Sequence, residues 1–448
     1  MLNRKIDKYL EQYYATTKKA LLVTGARQTG KSFSIRHFGE THFENLVEIN
    51  FIEMEKAVKV LSEAKGSRDL LLRISALTNQ PLIKGKTLIF FDEVQECPEI
   101  VTAVKFLVEE GSYRYIMSGS LLGVELKDLR SEPVGYMDVK EMYPLDLEEF
   151  FNALGISEMV WEEMQLAWDR RQPVDDYVHS KLMELFRLYL IVGGMPAAVQ
   201  NYLDTNNLQT VWAEQQAILR LYKRDISKYD PGHKLYLNEI FDLIPSELNA
   251  KNKRFILKKL NEKLKFSRYE NSFLWLKEAG VALPVYNVEA PVVPLKLSQS
   301  RNLFKLFQND VGLLASQYDG GIQLQLLTDE KNINFGAIYE NAVAQELHAH
   351  GFDLYYFNSK KQGELDFVIE KDGEVMPIEV KSGKDYQRHN ALTNVMANEE
   401  YKIREAIVFS NTNVRQSGKV LYIPIYMTAF LMKKIPDSII YTVDLSEL

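Results

Sequence analysis

Residues 25–32 read Gly-Ala-Arg-Gln-Thr-Gly-Lys-Ser, an order of residue types suited to holding phosphate. Gly25 and Gly30 let the backbone bend so that successive N–H groups point inward at an anion's oxygens. Lys31 adds a reaching ammonium, and Ser32 adds a hydroxyl that can bind Mg2+. The apolar run Ala20–Thr24 precedes the loop and the helical FSIRHFGE follows it. A strand–loop–helix joint turns the positive end of the helix toward the same anion. The expected cradle is therefore Gly25, Ala26, Arg27, Gln28, Thr29, Gly30, Lys31, Ser32 and Phe33, holding ATP with Mg2+.

A second apolar run, Thr87–Phe91, ends in Asp92-Glu93. Ligands of parallel sheets bind at the carboxyl ends of strands. Asp92 would hold Mg2+, directly or through water, and Glu93 would orient or activate an attacking water. By itself an apolar run ending in two acids is more often a solvated strand end; the phosphate loop upstream favours catalysis. A third run, Tyr113–Met117, leads into Ser118. That hydroxyl could sense the terminal phosphate or simply cap the strand.

The C-terminal part carries another constellation. FGAIYENAVAQELHAHG reads as a helix in which Glu340 shares a face with Val343, Ala344 and Leu347. A carboxylate on an apolar face is costly to bury unless it is paired or binds metal. In GELDFVIEKDGEVMPIEVKSGK, Asp372-Gly373 predicts a hairpin turn. Asp366 is expected to open the first strand. Glu379 and Lys381 alternate with Ile378 and Val380 on the second, so the two charged residues share a face. Asp366…Glu379-Val380-Lys381, with Glu340, resembles the PD-(D/E)xK nuclease core, and the resemblance implies that Asp366, Glu379 and Glu340 would bind Mg2+ and that Lys381 would act on the attacking water or the phosphate, with Glu364 as a competing ligand.

These residues need elements to position them. Short apolar runs alternate with amphipathic segments through residues 1–145, the pattern of a parallel α/β sheet. Residues 146–230 read as helical. Residues 231–300 hold helices followed by an extended stretch, and 301–448 mix helix and strand. Eight Lys or Arg fall within 251–268, with Leu257, Leu260 and Leu264 at helical spacing. Ser267 and Glu270 form a capping box for the next helix. A basic helical face of this kind could meet DNA or RNA phosphates, an acidic surface, or water alone.

With 448 residues, 46% hydrophobic and 26% charged, the chain has the composition of several globular domains, not of a disordered or collagen-like chain. A net charge of −7 argues against a general nucleic-acid coat and leaves room for a local basic face. Cys97 is the only cysteine, which excludes an internal disulfide and a multi-cysteine metal site. The first residues, MLNRKIDKYLEQYY, lack the apolar core of an export signal, and YLIVGGMPAAV is too short to span a bilayer. A cytoplasmic protein with no membrane segment is the expectation.

GARQTGKS, IFFDEVQECPEI, IMSGSLLG, MYPLDLEEF and YLIVGGMPAAV together resemble, in this order, a large prokaryotic group of AAA-type ATPases. Their C-terminal half carries a domain of unknown function. The resemblance implies an ATP site of Gly30, Lys31, Ser32, Asp92 and Glu93, with Ser118 as sensor. It also implies a winged-helix-like module over 231–300. Where that group often has Gly-Arg, this chain has Gly135-Tyr136, and Arg130 is the nearest upstream arginine. An arginine supplied by a neighbouring copy is therefore not expected from the motif, and the homo-oligomer stays open. In the nuclease-like constellation, Glu340 matches the helical glutamate of the PD-(D/E)xK core, and Leu365 stands where that core has proline.

The resulting expectation is an α/β chain with a P-loop core, a helical lid, a winged-helix-like module and a restriction-endonuclease-like domain. Two functions follow: an Mg2+-dependent ATPase coupled to nucleic-acid processing, or a nucleotide-switched ATPase that binds a protein partner and cuts nothing.

Overall fold

A computed structural model describes residues 2–119, 135–229, 234–250, 253–255, 270–328, 335–434 and 441–443. Five strands make the first sheet: β1 (Ala20–Thr24), β2 (Asn45–Asn50), β3 (Thr87–Asp92), β4 (Arg114–Ser118) and β5 (Met137–Glu141). All are parallel, in the order β2-β3-β4-β1-β5. β1, β3 and β4 are the three apolar runs, continuous because both faces of the sheet are covered. On one face Leu21, Val23, Leu88, Phe90 and Ile116 pack under the helices Lys5–Thr16 and Lys31–His42. On the other, Leu22, Ile89, Phe91 and Met117 pack under Glu55–Ser62, Ser67–Thr78 and Pro98–Glu110. β2 and β5 are edge strands with half-exposed residues, so neither shows an apolar run in the sequence.

Five helices follow: Leu147–Ala153, Glu158–Arg170, Asp176–Val192, Pro196–Thr205 and Leu208–Tyr229. Asp146 caps the first, its side chain accepting the Glu149 N–H at 2.9 Å. The helix Lys234–Asn249 packs on the last of them, and Glu270–Glu278 leads into the second sheet. Of the basic run, Lys251, Lys258, Lys259, Lys263, Lys265 and Arg268 lie outside the described residues, as do Ser267 and Arg130.

The second sheet has eight strands. They are β6 (Ala282–Val288), β7 (Gln299–Gln308), β8 (Tyr355–Ser359), β9 (Gly363–Lys371), β10 (Glu374–Lys381), β11 (Ala406–Ser410), β12 (Arg415–Ser417) and β13 (Val420–Pro424), in the order β12-β13-β11-β10-β9-β8-β6-β7. The β9–β10 hairpin turns at Asp372 and Gly373, both with positive φ (53° and 79°), as expected. Asp366 is the fourth residue of β9 and does not open it, because the strand pairs with β8 from Gly363 onward. β6 pairs with β7 and, in parallel, with β8. The extended stretch after Gly280 is thus part of the C-terminal sheet, and position 300 lies within β7. No local pattern announces that pairing.

The helix Gly336–Ala349 is buried from Ala337 to Leu347, all round. It lies in one core with the helices Asp176–Val192 and Leu208–Tyr229 and with β7 and β10. The helical segment and the second sheet therefore share a hydrophobic core, while the first sheet keeps its own two.

Candidate active sites

The loop after β1 has positive φ at Gly25 (124°), Gln28 (68°) and Gly30 (94°). A side chain at Gly25 would also meet the Met142 carbonyl oxygen at 2.2 Å, so glycine is required there on both counts. The helix Lys31–His42 starts from Gly30. Lys31 Nζ lies inside the loop and donates to the carbonyls of Gly25 (3.0 Å) and Ala26 (2.7 Å). Burial brings its pKa down to about 8, against the pull of Glu93 and Asp92. Phe33, next to Ser32, is largely exposed.

Asp92, buried at the end of β3, gathers the hydroxyls. Ser32 Oγ donates to its Oδ1 at 2.9 Å, and Ser118 Oγ donates to the same oxygen. Asn50, its register partner at the end of β2, donates to Oδ2 at 3.1 Å, and Arg36 stands 3.7 Å from that oxygen. Glu93 has a left-handed backbone (φ 58°, ψ 48°), uncommon outside glycine. Gln95 donates to its Oε2 at 2.5 Å, fixing the carboxylate beside the loop. Two hydroxyls in direct contact with one carboxylate, with an ammonium close by, make a donor set that fits Mg2+ and phosphate.

In the C-terminal sheet, Glu340, Asp366 and Glu379 are all buried, at 1%, 6% and 3% exposure. Val380 N–H donates to Asp366 Oδ2 at 2.9 Å, and Lys381 Nζ is 2.8 Å from Glu379 Oε2. Burial disfavours the Asp366 carboxylate, but Lys253, Lys305 and Lys381 outweigh it and bring its pKa down to about 2. Burial and the Asp366 charge push Glu379 up to about 8, against Lys381. Lys253 bonds to Glu340 Oε1 and lies 3.6 Å from Asp366 Oδ1. Glu364 is drawn to Lys305, at 2.7 Å, and to Asn358. Among the described residues, no three His, Cys, Asp or Glu side chains are grouped so as to hold a metal ion.

Residues 17–151 match the family model described as an AAA domain. This segment is an AAA-type P-loop ATPase domain. Two domains of unknown function match further on, DUF8612 over residues 183–323 and DUF4143 over 335–427. None of the curated proteins matches the chain. Among solved structures, the Walker-type ATPase of Pyrococcus abyssi aligns at 14% identity over 71% of this chain and 96% of its own, with a TM-score of 0.44. The Aeropyrum pernix Orc1 protein, solved in complex with DNA, aligns at 10% identity over 74% and 93%, with a TM-score of 0.29. Cdc6p of Pyrobaculum aerophilum aligns at 12% identity over 73% and 94%, with a TM-score of 0.26.

Several residues around the AAA site carry no sequence signal. Arg4 donates to the carbonyls of Thr29 (3.0 Å) and Tyr143 (2.7 Å) and to Glu149 (3.1 Å), tying the phosphate loop to the helix Leu147–Ala153. Arg27 pairs with Asp225 at 2.9 Å, and Tyr222 donates to the Arg27 carbonyl at 3.0 Å. Asn50 could have been suspected as a polar residue closing a strand; Arg4 and Asp225 could not. The Gly193-Gly194-Met195-Pro196 turn is tight. A side chain at Gly194 would meet the Leu145 carbonyl oxygen at 2.0 Å, and Gly194 N–H donates to Asp310 at 2.6 Å. Burial raises the Asp310 pKa to about 6. The histidines have protein partners: His350 Nδ1 donates to the Leu431 carbonyl at 3.0 Å, and His389 meets the Tyr422 hydroxyl at 2.7 Å. Burial pushes the Cys97 thiol up to about 12, which makes it a poor nucleophile. No described helix is long and apolar enough to cross a membrane.

Proposed function

We propose that the chain hydrolyses ATP at the AAA domain. The observation that carries this reading is the meeting of Ser32, Asp92 and Ser118 beside the Lys31 ammonium, at the carboxyl ends of β1, β3 and β4. The loop N–H groups and Lys31 would hold the β- and γ-phosphates. Glu93 would take a proton from a water as that oxygen attacks the γ-phosphorus, and the bond to the ADP oxygen would break. Ser32 and Asp92 would hold Mg2+, which would supply charge neutralisation of the phosphates. Lys31→Ala is expected to abolish nucleotide binding, read by fluorescent-nucleotide titration. Glu93→Gln is expected to bind ATP normally and to hydrolyse it about 100-fold or more slowly. Normal hydrolysis by Lys31→Ala would remove the site assignment; full turnover by Glu93→Gln would remove Glu93 from its proposed role.

The C-terminal domain supports two uses. Coupling to DNA or RNA through residues 251–268 and a nuclease-like centre of Asp366, Glu379, Lys381 and Glu340 draws on the convergence of those four side chains. A nucleotide-switched interaction protein, whose C-terminal centre does not cut, draws on a specific contact: Lys253, one of the basic residues, is engaged by the buried Glu340 and Asp366. We favour the second. Labelled single- and double-stranded DNA and RNA, incubated with Mg2+ or Mn2+ with and without ATP, decide between them. Cleavage lost in Asp366→Ala and Lys381→Ala restores the first reading; intact nucleic acid beside normal ATP hydrolysis supports the second.

A further inference from the structure

The C-terminal cluster holds four acids, Glu340, Glu364, Asp366 and Glu379, and three lysines, Lys253, Lys305 and Lys381. Two of the lysines come from the cluster's own sheet, Lys305 on β7 and Lys381 on β10. Lys253 comes from outside it, just after the helix Lys234–Asn249. Its position is fixed by its neighbours on both sides. Its N–H donates to Ala250 O at 3.0 Å, and two residues on, Phe255 N–H donates to Phe304 O on β7 at 3.0 Å. The Phe255 ring packs on Phe273 and Phe304. Lys253 itself has a left-handed backbone, φ 46°. A residue with a side chain pays strain there, and such strain persists only where the surroundings over-determine it.

What this arrangement does is put an ammonium between Glu340 and Asp366, where a nuclease-like centre would need a divalent ion. Among the described residues the second Glu340 oxygen, Oε2, is buried without a hydrogen-bond partner, so the cluster keeps one acceptor that the lysine does not use. A buried carboxylate left in that state is costly, and a cation is the natural remedy. We infer that Lys253 is a built-in cation that closes the Glu340–Asp366–Glu379 cluster to divalent metal, leaving it a latent metal site. The inference rests on the non-cutting reading of the C-terminal domain and supplies its physical cause.

Mn2+ titration of the full-length, nucleotide-free chain, followed by the loss of the free-ion EPR signal, tests it. The signal that counts is the binding abolished by Asp366→Asn, which separates this cluster from the AAA site. In the wild type no such component is expected. Lys253→Met should gain one bound Mn2+ per chain, about tenfold or more tighter than any wild-type component, since changes beside a metal site shift affinity by ~10–100-fold. Lys253→Arg keeps a cation and should gain none. An Asp366-dependent Mn2+ site in the wild type overturns the inference, whether or not Lys253→Met folds. So does a folded Lys253→Met chain, judged by circular dichroism, that binds no additional Mn2+. Neither measurement involves ATP turnover, so a failure of the ATPase reading leaves this result interpretable.

Discussion

Asp92 shows how one buried carboxylate organises a site. It accepts from Ser32, Ser118 and Asn50 and stands near Arg36, so residues from three separate segments are aligned on its two oxygens. Glu379 shows the opposite electrostatic outcome. Its carboxyl is raised to about 8 where an ordinary glutamate lies near 4.5, so the folded chain holds a proton that the unfolded chain releases. That contribution to stability is fully present below pH 4.5 and is lost as pH rises through about 8. Glu379→Gln cannot lose the proton. Urea-denaturation midpoints across pH 5–9 should therefore fall less steeply for this variant than for the wild type. Parallel profiles would mean that Glu379 titrates normally in the fold.

At the scale of elements, the decisive joint is the Gly193–Pro196 turn between two helices. Gly194 O accepts from Leu145 N–H at 2.7 Å while Gly194 N–H reaches Asp310. Pro196, opening the next helix, comes within 3.6 Å of where a side chain on Gly30 would begin. The turn thus connects the C-terminal half to the roof of the phosphate loop. Gly194→Ala forces a methyl against backbone and should cost about 3 kcal/mol of stability, at the upper end for overpacking. Thermal denaturation of the variant checks this; a loss below about 1 kcal/mol would mean that the turn can shift freely.

For the whole molecule, a set of polar contacts ties the phosphate loop to the buried helix that carries Glu340. Arg4 holds Thr29 and Glu149; Lys5 holds Asp146 at 2.6 Å; and Glu346 accepts from Leu147 N–H at 2.9 Å. Glu346 lies on the same buried helix as Glu340, one and two-thirds turns along it. Arg4→Ala removes the first link and leaves the buried Glu149 without its guanidinium. The expected result is a rise of about tenfold in the KM for ATP from a loosened loop, with a smaller change in kcat. Arg4→Lys should restore little of it, because an ammonium cannot make the three directed bonds of the guanidinium. Steady-state kinetics on both variants provide the check. Unchanged KM in Arg4→Ala would make the contact merely structural.

The sequence by itself determined the phosphate loop, the acids closing β3, the hydroxyl of Ser118 at the end of β4 and the β9–β10 hairpin. Each depends on neighbours a few residues away: glycine for positive φ, a continuous apolar run for a strand covered on both faces, and Asp-Gly for a tight turn. Only the tertiary structure decided the rest. The edge strands β2 and β5 were invisible because half-exposed strands carry no apolar run. The union of β6 and β7 with the C-terminal sheet depends on pairing across more than sixty residues, from Tyr286 to Tyr355. Lys253 belonged, in sequence, to a basic helical run; in the fold its ammonium lies against two buried carboxylates. Local patterns fix which groups can do chemistry, but the partner that neutralises a charge is chosen by packing, which brings distant segments together.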